Sequence, residues 1–310
     1  MTRSITIAVV GSPGVAPELG KKGTASDLTL YNAVRDDHAL TVIEPTRFPE
    51  KFAALLFSLA MADAVVVIVR QLNRDVAETL AAVDQFSKPS EIWLAPEVGE
   101  ADVRRILKGL GLAEAPIHAL DILALRAELG ERSAAERPGV VRVPIDHAFP
   151  VKGVGAVALG IVAQGRLVAH DKLELFPLGR TVDVRSIQVH DVEVPQATSS
   201  ERVGVALRGV EADELERGQV LAPAGALQFS AELTLHEVTA SPYYRGDLAA
   251  GGAGHALVGL QFVPARATAV ADGSTTLTLD RTVAYGPAEP VWVADLSVST
   301  GPRLAYRGRL

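Results

Sequence analysis

The sequence predicts an α/β domain followed by two antiparallel β-barrels. Three observations support this prediction. The first 137 residues alternate strand-like apolar runs with helix-like runs; the chain after "AAERPG" is made of short runs punctuated by glycine and proline; and "APAGA" interrupts this second part. We therefore expect three domains, at residues 1–137, 138–224 and 225–310.

The α/β prediction rests on the order of the runs. Strand-like segments are "SITIAVVG", "ALTVIEP", "AVVVIV", "EIWLAP" and "APIHAL". Helix-like segments are "PEKFAALLFSLAMADA", "DVAETLAAVDQF", "EADVRRILKGLG" and "DILALRAELGERSAAE". Strands that alternate with helices favour a parallel sheet, and apolar runs without alternation indicate burial on both strand faces.

Composition narrows the classes of function. The net charge of −7 argues against a globally basic nucleic-acid binder, although it leaves room for a local basic face. The absence of cysteine excludes disulfides, thiolate metal sites and cysteine nucleophiles. The N-terminal apolar run is too short for a signal peptide, and Asp63 breaks the longest apolar stretch. We expect a cytoplasmic protein that does not bind membranes.

The second domain carries a specific resemblance. The segments "KGVGAVALGIVAQG", "HDKLELFPLGRTVDVRSIQVH" and "SERVGVALRGVEADELERGQVL" occur in this order between residues 149 and 222. They resemble domain two of the translational GTPase family, which includes elongation factor Tu and the selenocysteine-specific elongation factor. The resemblance implies a P-loop-GTPase-like first domain, two barrels, tRNA or the ribosome as partner, and GTP with Mg²⁺ as the cofactor of a working member.

The phosphate loop of such a domain requires GxxxxGK followed by serine or threonine. Here one residue too many separates Gly14 from Gly20, and Lys22 stands where the hydroxyl residue is required. Pro13 and Pro17 each remove a backbone donor from the cradle. The phosphate loop is therefore predicted to be degenerate.

The other nucleotide motifs also depart from the family. Where the family carries the glycine and histidine after DxxG, this chain has Phe48 and Pro49, and the nearest acid, Glu44, is out of register by one. The guanine-reading NKxD is replaced by "APEV" at residues 95–98, and "HA" at residues 118–119 is a weak relic of the last motif. The chain is thus similar to an archaeal-type truncated paralogue with degenerate GTPase motifs, and we expect no catalytic residue.

The stretch "LGKKGTASDLTLYN" leaves two interpretations open. Ser26 or Asp27 could cap a helix formed by "LTLYNAV", which would make the stretch an ordinary helix start. Alternatively, a remodelled site for a phosphate of RNA or of a small ligand could be formed by Gly20, Lys21, Lys22 and Thr24.

Candidate RNA contacts follow from basic and aromatic residues in the two barrels. In the second domain these are Arg180, Arg185 and Arg202. In the third they are Tyr243, Tyr244 and Arg245, with Arg303, Arg307 and Arg309 nearby in a mixed aromatic and basic set. The seven histidines form no HExxH motif and no i, i+4 pair, so no metal is expected.

Three functional hypotheses remain. The leading one is an elongation-factor-like pseudo-GTPase that binds tRNA or the ribosome without a nucleotide switch. The second is a working GTPase with a non-standard site built from Lys21 or Lys22, Thr24 and Glu44. The third is a scaffold that reuses the domain fold to dock a partner protein.

Overall fold

A computed structural model of the chain describes residues 3–35, 37–246, 250–271 and 273–310. Its contacts group the chain into two compact units. The first comprises Met1–Ala134, Thr239–Asp247 and Ala294–Arg307; the second comprises Ala135–Val238, Leu248–Val293 and Gly308–Leu310. Two segments from the predicted third domain are therefore counted with the α/β part of the chain.

The α/β part is built on a seven-stranded sheet with the order β2-β3-β4-β1-β5-β6-β7. The strands are β1 (Arg3–Gly11), β2 (Lys21–Ala25), β3 (Thr29–Arg35), β4 (His38–Glu44), β5 (Ala64–Val69), β6 (Ser90–Leu94) and β7 (Ile117–Ala119). The helices are α1 (Ala16–Leu19), α2 (Phe52–Met61), α3 (Arg74–Phe86), α4 (Glu100–Leu107) and α5 (Ile122–Glu131).

The central strands form because their residues are apolar throughout and are covered on both sides. All six residues of β5 are buried, as the uninterrupted run predicted. Two helix starts are stabilised by side-chain caps: the Asn73 Oδ1 accepts the Val76 amide at 2.9 Å, and the Asp121 carboxylate accepts the amides of Leu123 and Ala124.

The helix expected for "LTLYNAV" is wrong, because this segment is strand β3. It pairs antiparallel with the whole of β4, from Thr29 opposite Glu44 to Arg35 opposite His38. Strand β2 then pairs antiparallel with β3, so the sheet is mixed rather than parallel throughout. The long tertiary pairing with a buried strand outweighs the local capping signal of Ser26 and Asp27.

The second domain is a barrel of antiparallel strands. The order β11-β16-β8-β9-β15-β12-β13 is closed by an additional β11–β12 pairing. The strands are β8 (Val143–Val151), β9 (Gly155–Ile161), β10 (Arg166–Val168), β11 (Lys172–Phe176), β12 (Arg180–Val189), β13 (Val192–Val194), β14 (Gln196–Thr198), β15 (Arg202–Arg208) and β16 (Val220–Ala222). Gly160 permits close packing, since a Cβ there would lie 2.4 Å from the Pro144 carbonyl oxygen.

A second closed barrel follows, with the order β17-β20-β19-β18-β21-β22. Its strands are β17 (Gln228–Ala240), β18 (Ala253–Val258), β19 (Gln261–Ala271), β20 (Ser274–Tyr285), β21 (Pro290–Ala294) and β22 (Leu304–Arg309). The predicted fold class, an α/β P-loop-GTPase-like domain followed by two antiparallel β-barrels, is confirmed.

Candidate functional site

The loop after β1 is attached to the end of β5. The Ser12 amide donates to the Ile68 carbonyl at 2.8 Å, and the Arg70 amide donates to the Ser12 Oγ at 3.0 Å. Gly11 has φ of +88°, and a Cβ at this position would lie 2.4 Å from the Ile68 carbonyl oxygen. The start of the loop therefore follows the position expected of a phosphate loop, between two central strands.

The amide donors of this loop are not free to converge on a phosphate. The Gly14 amide donates to the Glu44 Oε1 at 3.3 Å, and the Tyr31 hydroxyl donates to the Glu44 Oε2 at 3.2 Å. The Glu44 side chain belongs to a residue that is only 8% exposed. A carboxylate from the end of β4 thus accepts a hydrogen bond from a loop amide that could otherwise meet an anionic ligand.

The charge of Glu44 also acts on Tyr31. Burial, followed by the Glu44 carboxylate's charge and its hydrogen bond, raises the pKa of Tyr31 to about 12. An anion beside a phenol disfavours the phenolate, and the hydrogen bond favours the protonated hydroxyl. Glu44 and Tyr31 therefore form a buried, internally satisfied pair beneath the loop.

The region after the loop lacks the helix that normally receives phosphates. Helix α1 has four residues, and the chain then enters strand β2 at Lys21. Lys21 and Lys22 are exposed and adjacent on a strand, so their side chains point to opposite faces. Gly20 and Gly23 allow β2 to approach Asn32 closely. The predicted set of Gly20, Lys21, Lys22 and Thr24 consequently lies along an edge strand.

These residues do not fit GTP and Mg²⁺ in the way the family motifs do. Pro13 and Pro17 have no amide hydrogen to donate. The turn after β6, where a guanine base would be recognised, consists of "APEV" and offers neither asparagine nor aspartate. No reaction step is derived through a nucleotide here.

The segment that precedes α2 is held by an arginine from residues 294–307 of the same unit. The Arg303 guanidinium carbon lies 4.5 Å from the centre of the Phe52 ring and 5.8 Å from that of Phe48. Its Nη1 donates to the Pro49 carbonyl at 3.2 Å. The residues that replace the glycine and histidine of the family motif therefore form a stacking surface for a cation.

The same arginine forms an ion pair with Glu78 on α3. The Glu78 Oε1 accepts the backbone amide and the Nε of Arg303 at 2.9 and 2.8 Å, and its Oε2 accepts the Nη2 at 2.6 Å. Glu78 is 4% exposed. A nearly buried carboxylate with three charge-assisted or amide bonds is a strong, directional contact. Arg303, which belonged to the proposed RNA-facing set, is therefore committed inside the first unit.

Other members of that third-domain set also make internal contacts. Arg307 donates to the Gln85 carbonyl at 2.8 Å and to the Ser87 hydroxyl, at the end of α3. Tyr243 donates to the Lys108 carbonyl, and Tyr244 donates to the Asp295 Oδ2 at 2.8 Å. Arg245 is exposed.

In the second domain, Arg202 is not placed for RNA contact. Its Nη2 donates to the Asp146 Oδ1 at 2.8 Å and its Nη1 donates to the Oδ2, with Arg202 only 8% exposed. Burial alone would raise the pKa of Asp146, but the Arg202 charge and bonds from His147 and Arg202 hold it below its ordinary value of 3.8. Arg202 is a buried structural cation, a role that strand alternation in the sequence did not indicate.

The two other predicted arginines of this barrel remain on its surface. Arg180 pairs with Glu214, while the exposed Arg185 donates from Nη1 to the Val154 carbonyl at 2.8 Å. This bond joins Arg185 to the turn that carries Lys152.

Two further cations near Arg185 were missed by the sequence reasoning. Lys152 lies in the turn between β8 and β9, and Arg208 ends β15 beside the strand pair of Leu207 with Ala156. Both are exposed, and no ion pair is found for either within the described ranges. Phe149, on the same hairpin as Lys152, is 41% exposed. We call Phe149, Lys152, Arg185 and Arg208 the hairpin patch.

A separate cluster joins β6, β7 and α5. Ligand-type atoms of Glu91, His118 and Glu128 lie within 4.8 Å of one another, and the Arg132 guanidinium donates to both carboxylates. Burial raises the pKa of Glu91, against the opposing effects of Trp93 and Arg132. The guanidinium lies between the two acids, so the cluster is an internal ion-pair network.

No helix within the described residues has the length and apolar character needed to cross a bilayer. Comparisons with known proteins agree with the architecture. A sequence profile described as elongation factor Tu domain 2 matches residues 155–222. Translation elongation factor SelB from Methanococcus maripaludis, solved in complex with the GTP analogue GppNHp, superposes with a TM-score of 0.86 at 19% identity, over 99% of this chain and 79% of that one.

Fold and sequence together define an elongation-factor-like member of the translational GTPase family, and the chain belongs to that family. Within it, "Uncharacterized protein MJ0325" of Methanocaldococcus jannaschii is 32% identical over 294 residues, which cover 94% of this chain and 95% of that protein. The selenocysteine-specific elongation factor of the same organism is 35% identical over 125 residues, which cover 40% of this chain and 27% of that factor.

Proposed function

We propose that this protein is an elongation-factor-like pseudo-GTPase that binds tRNA or the ribosome without a nucleotide switch. The observation that carries the proposal is the engagement of the loop amide of Gly14 by the buried carboxylate of Glu44. Replacing that internal acceptor by a phosphate would leave a second negative charge beside Glu44, which Coulomb repulsion opposes.

The contacts of Arg303 support the same proposal. In a translational GTPase the segment after the third strand responds to the γ-phosphate, and this response is the switch. Here that segment carries Phe48 and Pro49, both in contact with Arg303, which is itself held by Glu78. A ligand can shift a conformational equilibrium only through contacts that differ between the two states. These contacts form without any phosphate, so the segment has its partner in the absence of nucleotide.

The hairpin patch supplies the RNA-binding surface of the proposal. It combines three cations with an exposed aromatic ring, and RNA backbones and unstacked bases are bound by this combination. Asp183 faces Arg208 across the β12–β15 pair and reduces the net charge, which leaves an excess of two positive charges among these side chains. We therefore assign RNA contact to Lys152, Arg185 and Arg208 in place of Arg202.

The test is a binding titration with ribosomes and with bulk tRNA at low salt. The triple variant Lys152→Glu, Arg185→Glu and Arg208→Glu is expected to lose at least tenfold in affinity, and its dependence on salt should fall by about one log–log unit per lost phosphate contact. The matched control is Arg166→Glu, an exposed cation on β10 outside the patch, which should bind as the unchanged protein does.

Two results would oppose the proposal. If the unchanged protein binds neither ribosomes nor tRNA at low salt, the RNA partner is wrong, and a discrete RNA-free complex in pull-downs would instead support the scaffold hypothesis. If binding occurs only with GTP present, the nucleotide-independent part is wrong.

A further inference from the structure

The first unit contains a cavity of about 510 Å³ that the proposed function does not use. It lies between α3, the end of α4 with Leu110, Tyr243 and the segment 299–302, all of which belong to this unit. Its volume falls in the range of small-molecule sites in proteins. We propose that this cavity binds a small amphipathic anion, a molecule with an apolar body and one carboxylate.

The floor of the cavity is apolar and made partly of small side chains. Ala77 and Ala81 lie one turn apart on α3, and Ile106, Leu110 and Pro302 form the facing wall. Side chains four residues apart share one helix face, so the two alanines leave a continuous recess on α3. An apolar ligand body placed there would be removed from water at about 25 cal/mol per Å² of its surface.

The polar groups at the inner side of the cavity already have partners. The Glu78 carboxylate accepts three hydrogen bonds from Arg303, and the Tyr243 hydroxyl donates to the Lys108 carbonyl. A ligand therefore meets neither a free negative charge nor an unsatisfied buried donor at the floor. This arrangement favours an apolar group there over a polar one.

The rim carries two positive charges. Arg74 begins α3 and has no ion pair within the described part of the chain, and Arg105 on α4 pairs only with the exposed Asp102, at 3.0 Å. An exposed i, i+3 pair contributes little and yields readily to a competing anion. Two cations above an apolar floor are complementary to a carboxylate attached to an apolar tail. The hydroxyls of Ser299 and Thr300 offer further contacts at the rim.

The test compares two probes of equal chain length by calorimetry, with amide chemical shifts to locate them. Decanoate carries the proposed carboxylate, whereas decanol lacks the charge. Decanoate is expected to bind with one-to-one stoichiometry and at least tenfold more tightly than decanol, and the shifted amides should lie on α3, on α4 and at residues 299–302.

Variants separate the head group from the tail. The double variant Arg74→Ala and Arg105→Ala should weaken decanoate about tenfold and leave decanol unchanged. Ala77→Leu, which fills part of the recess, should weaken both probes. The matched control is Lys108→Ala, an exposed cation adjacent to α4 that does not line the cavity, and it should change neither.

Three results would overturn the proposal: no saturable decanoate binding at millimolar concentration, equal affinity for decanoate and decanol, or shifts confined to residues away from the cavity. None of these depends on RNA binding, so the proposed function and this inference stand or fall separately.

Discussion

The barrel of residues 155–222 and the loop of residues 11–20 come from the same ancestral architecture but differ in what they retain. The barrel matches the family profile throughout, whereas the loop departs from phosphate-loop spacing and composition. The reason is visible in the packing. Gly160 touches the Pro144 carbonyl in the barrel wall, so the backbone itself requires glycine there. The phosphate loop requires its motif only when phosphate is bound.

The two regions also use buried carboxylates differently. In the barrel, Asp146 forms a bidentate ion pair with Arg202, an interaction between two formal charges. In the loop, Glu44 accepts from a neutral amide and a neutral hydroxyl. The comparison predicts that the barrel depends more strongly on its acid than the loop does, because removing Asp146 leaves a buried guanidinium unpaired.

The largest effect is therefore expected for Asp146→Asn. This change should lower the free energy of unfolding by about 3–5 kcal/mol, because Arg202 would remain charged and buried without its partner. Urea unfolding followed by circular dichroism measures it. The control Asp183→Asn, an exposed aspartate on β12, should change stability by less than about 0.5 kcal/mol.

The pH dependence of the same variant sharpens this prediction. Because the pKa of Asp146 is lower in the folded protein than its ordinary value of 3.8, its contribution is present above pH 3.8 and lost as pH falls through the folded pKa. The stability difference between the two proteins should therefore be constant from pH 7 to 5 and shrink below pH 4. A difference that persists unchanged at the lowest pH would contradict the ion-pair explanation.

The next effect concerns the first unit. Glu78→Gln should lower the free energy of unfolding by about 3 kcal/mol, since Arg303 loses its counter-charge in a buried setting. The exposed Glu100→Gln, which only pairs with Arg104 one turn away on α4, should cost about 0.5 kcal/mol or less. Equal costs for the two variants would mean that the Arg303 contacts do not hold the segment before α2.

A smaller effect is expected for Glu44→Gln in the loop. The variant keeps an acceptor for Gly14 and Tyr31 but removes the charge, so the stability loss should be about 1–2 kcal/mol. The pKa of Tyr31, about 12 in the unchanged protein, should move toward its ordinary value of 10. Ultraviolet titration of the tyrosines detects the change, and an unaltered titration curve would place Glu44 away from Tyr31.

The smallest effect is expected for the double variant Lys21→Ala and Lys22→Ala. Both side chains are exposed on an edge strand, so stability should change by less than about 0.5 kcal/mol and RNA affinity by less than twofold. Filter binding at low salt measures the affinity. A tenfold loss would instead favour the remodelled anion site.

Local patterns and a family resemblance were sufficient to predict the α/β part and the barrels, since the apolar runs and the glycine spacing act within short windows. The β2–β3 hairpin was missed because its stability comes from pairing along β4, which outweighed the capping signal at Ser26. The role of Arg303 was missed for a different reason. Its partner Glu78 lies 225 residues away, and nothing in the local sequence of either residue indicates the other.

The central claim is that the loop of residues 11–20 no longer binds nucleotide, and a titration with fluorescent GTP and GDP in the presence of Mg²⁺, checked by calorimetry, tests it most directly. The account predicts no saturable binding up to millimolar nucleotide, both for the unchanged protein and for Lys21→Ala with Lys22→Ala. Binding at micromolar concentration or tighter, lost in that double variant, would contradict it and would identify a working nucleotide site with a new spacing.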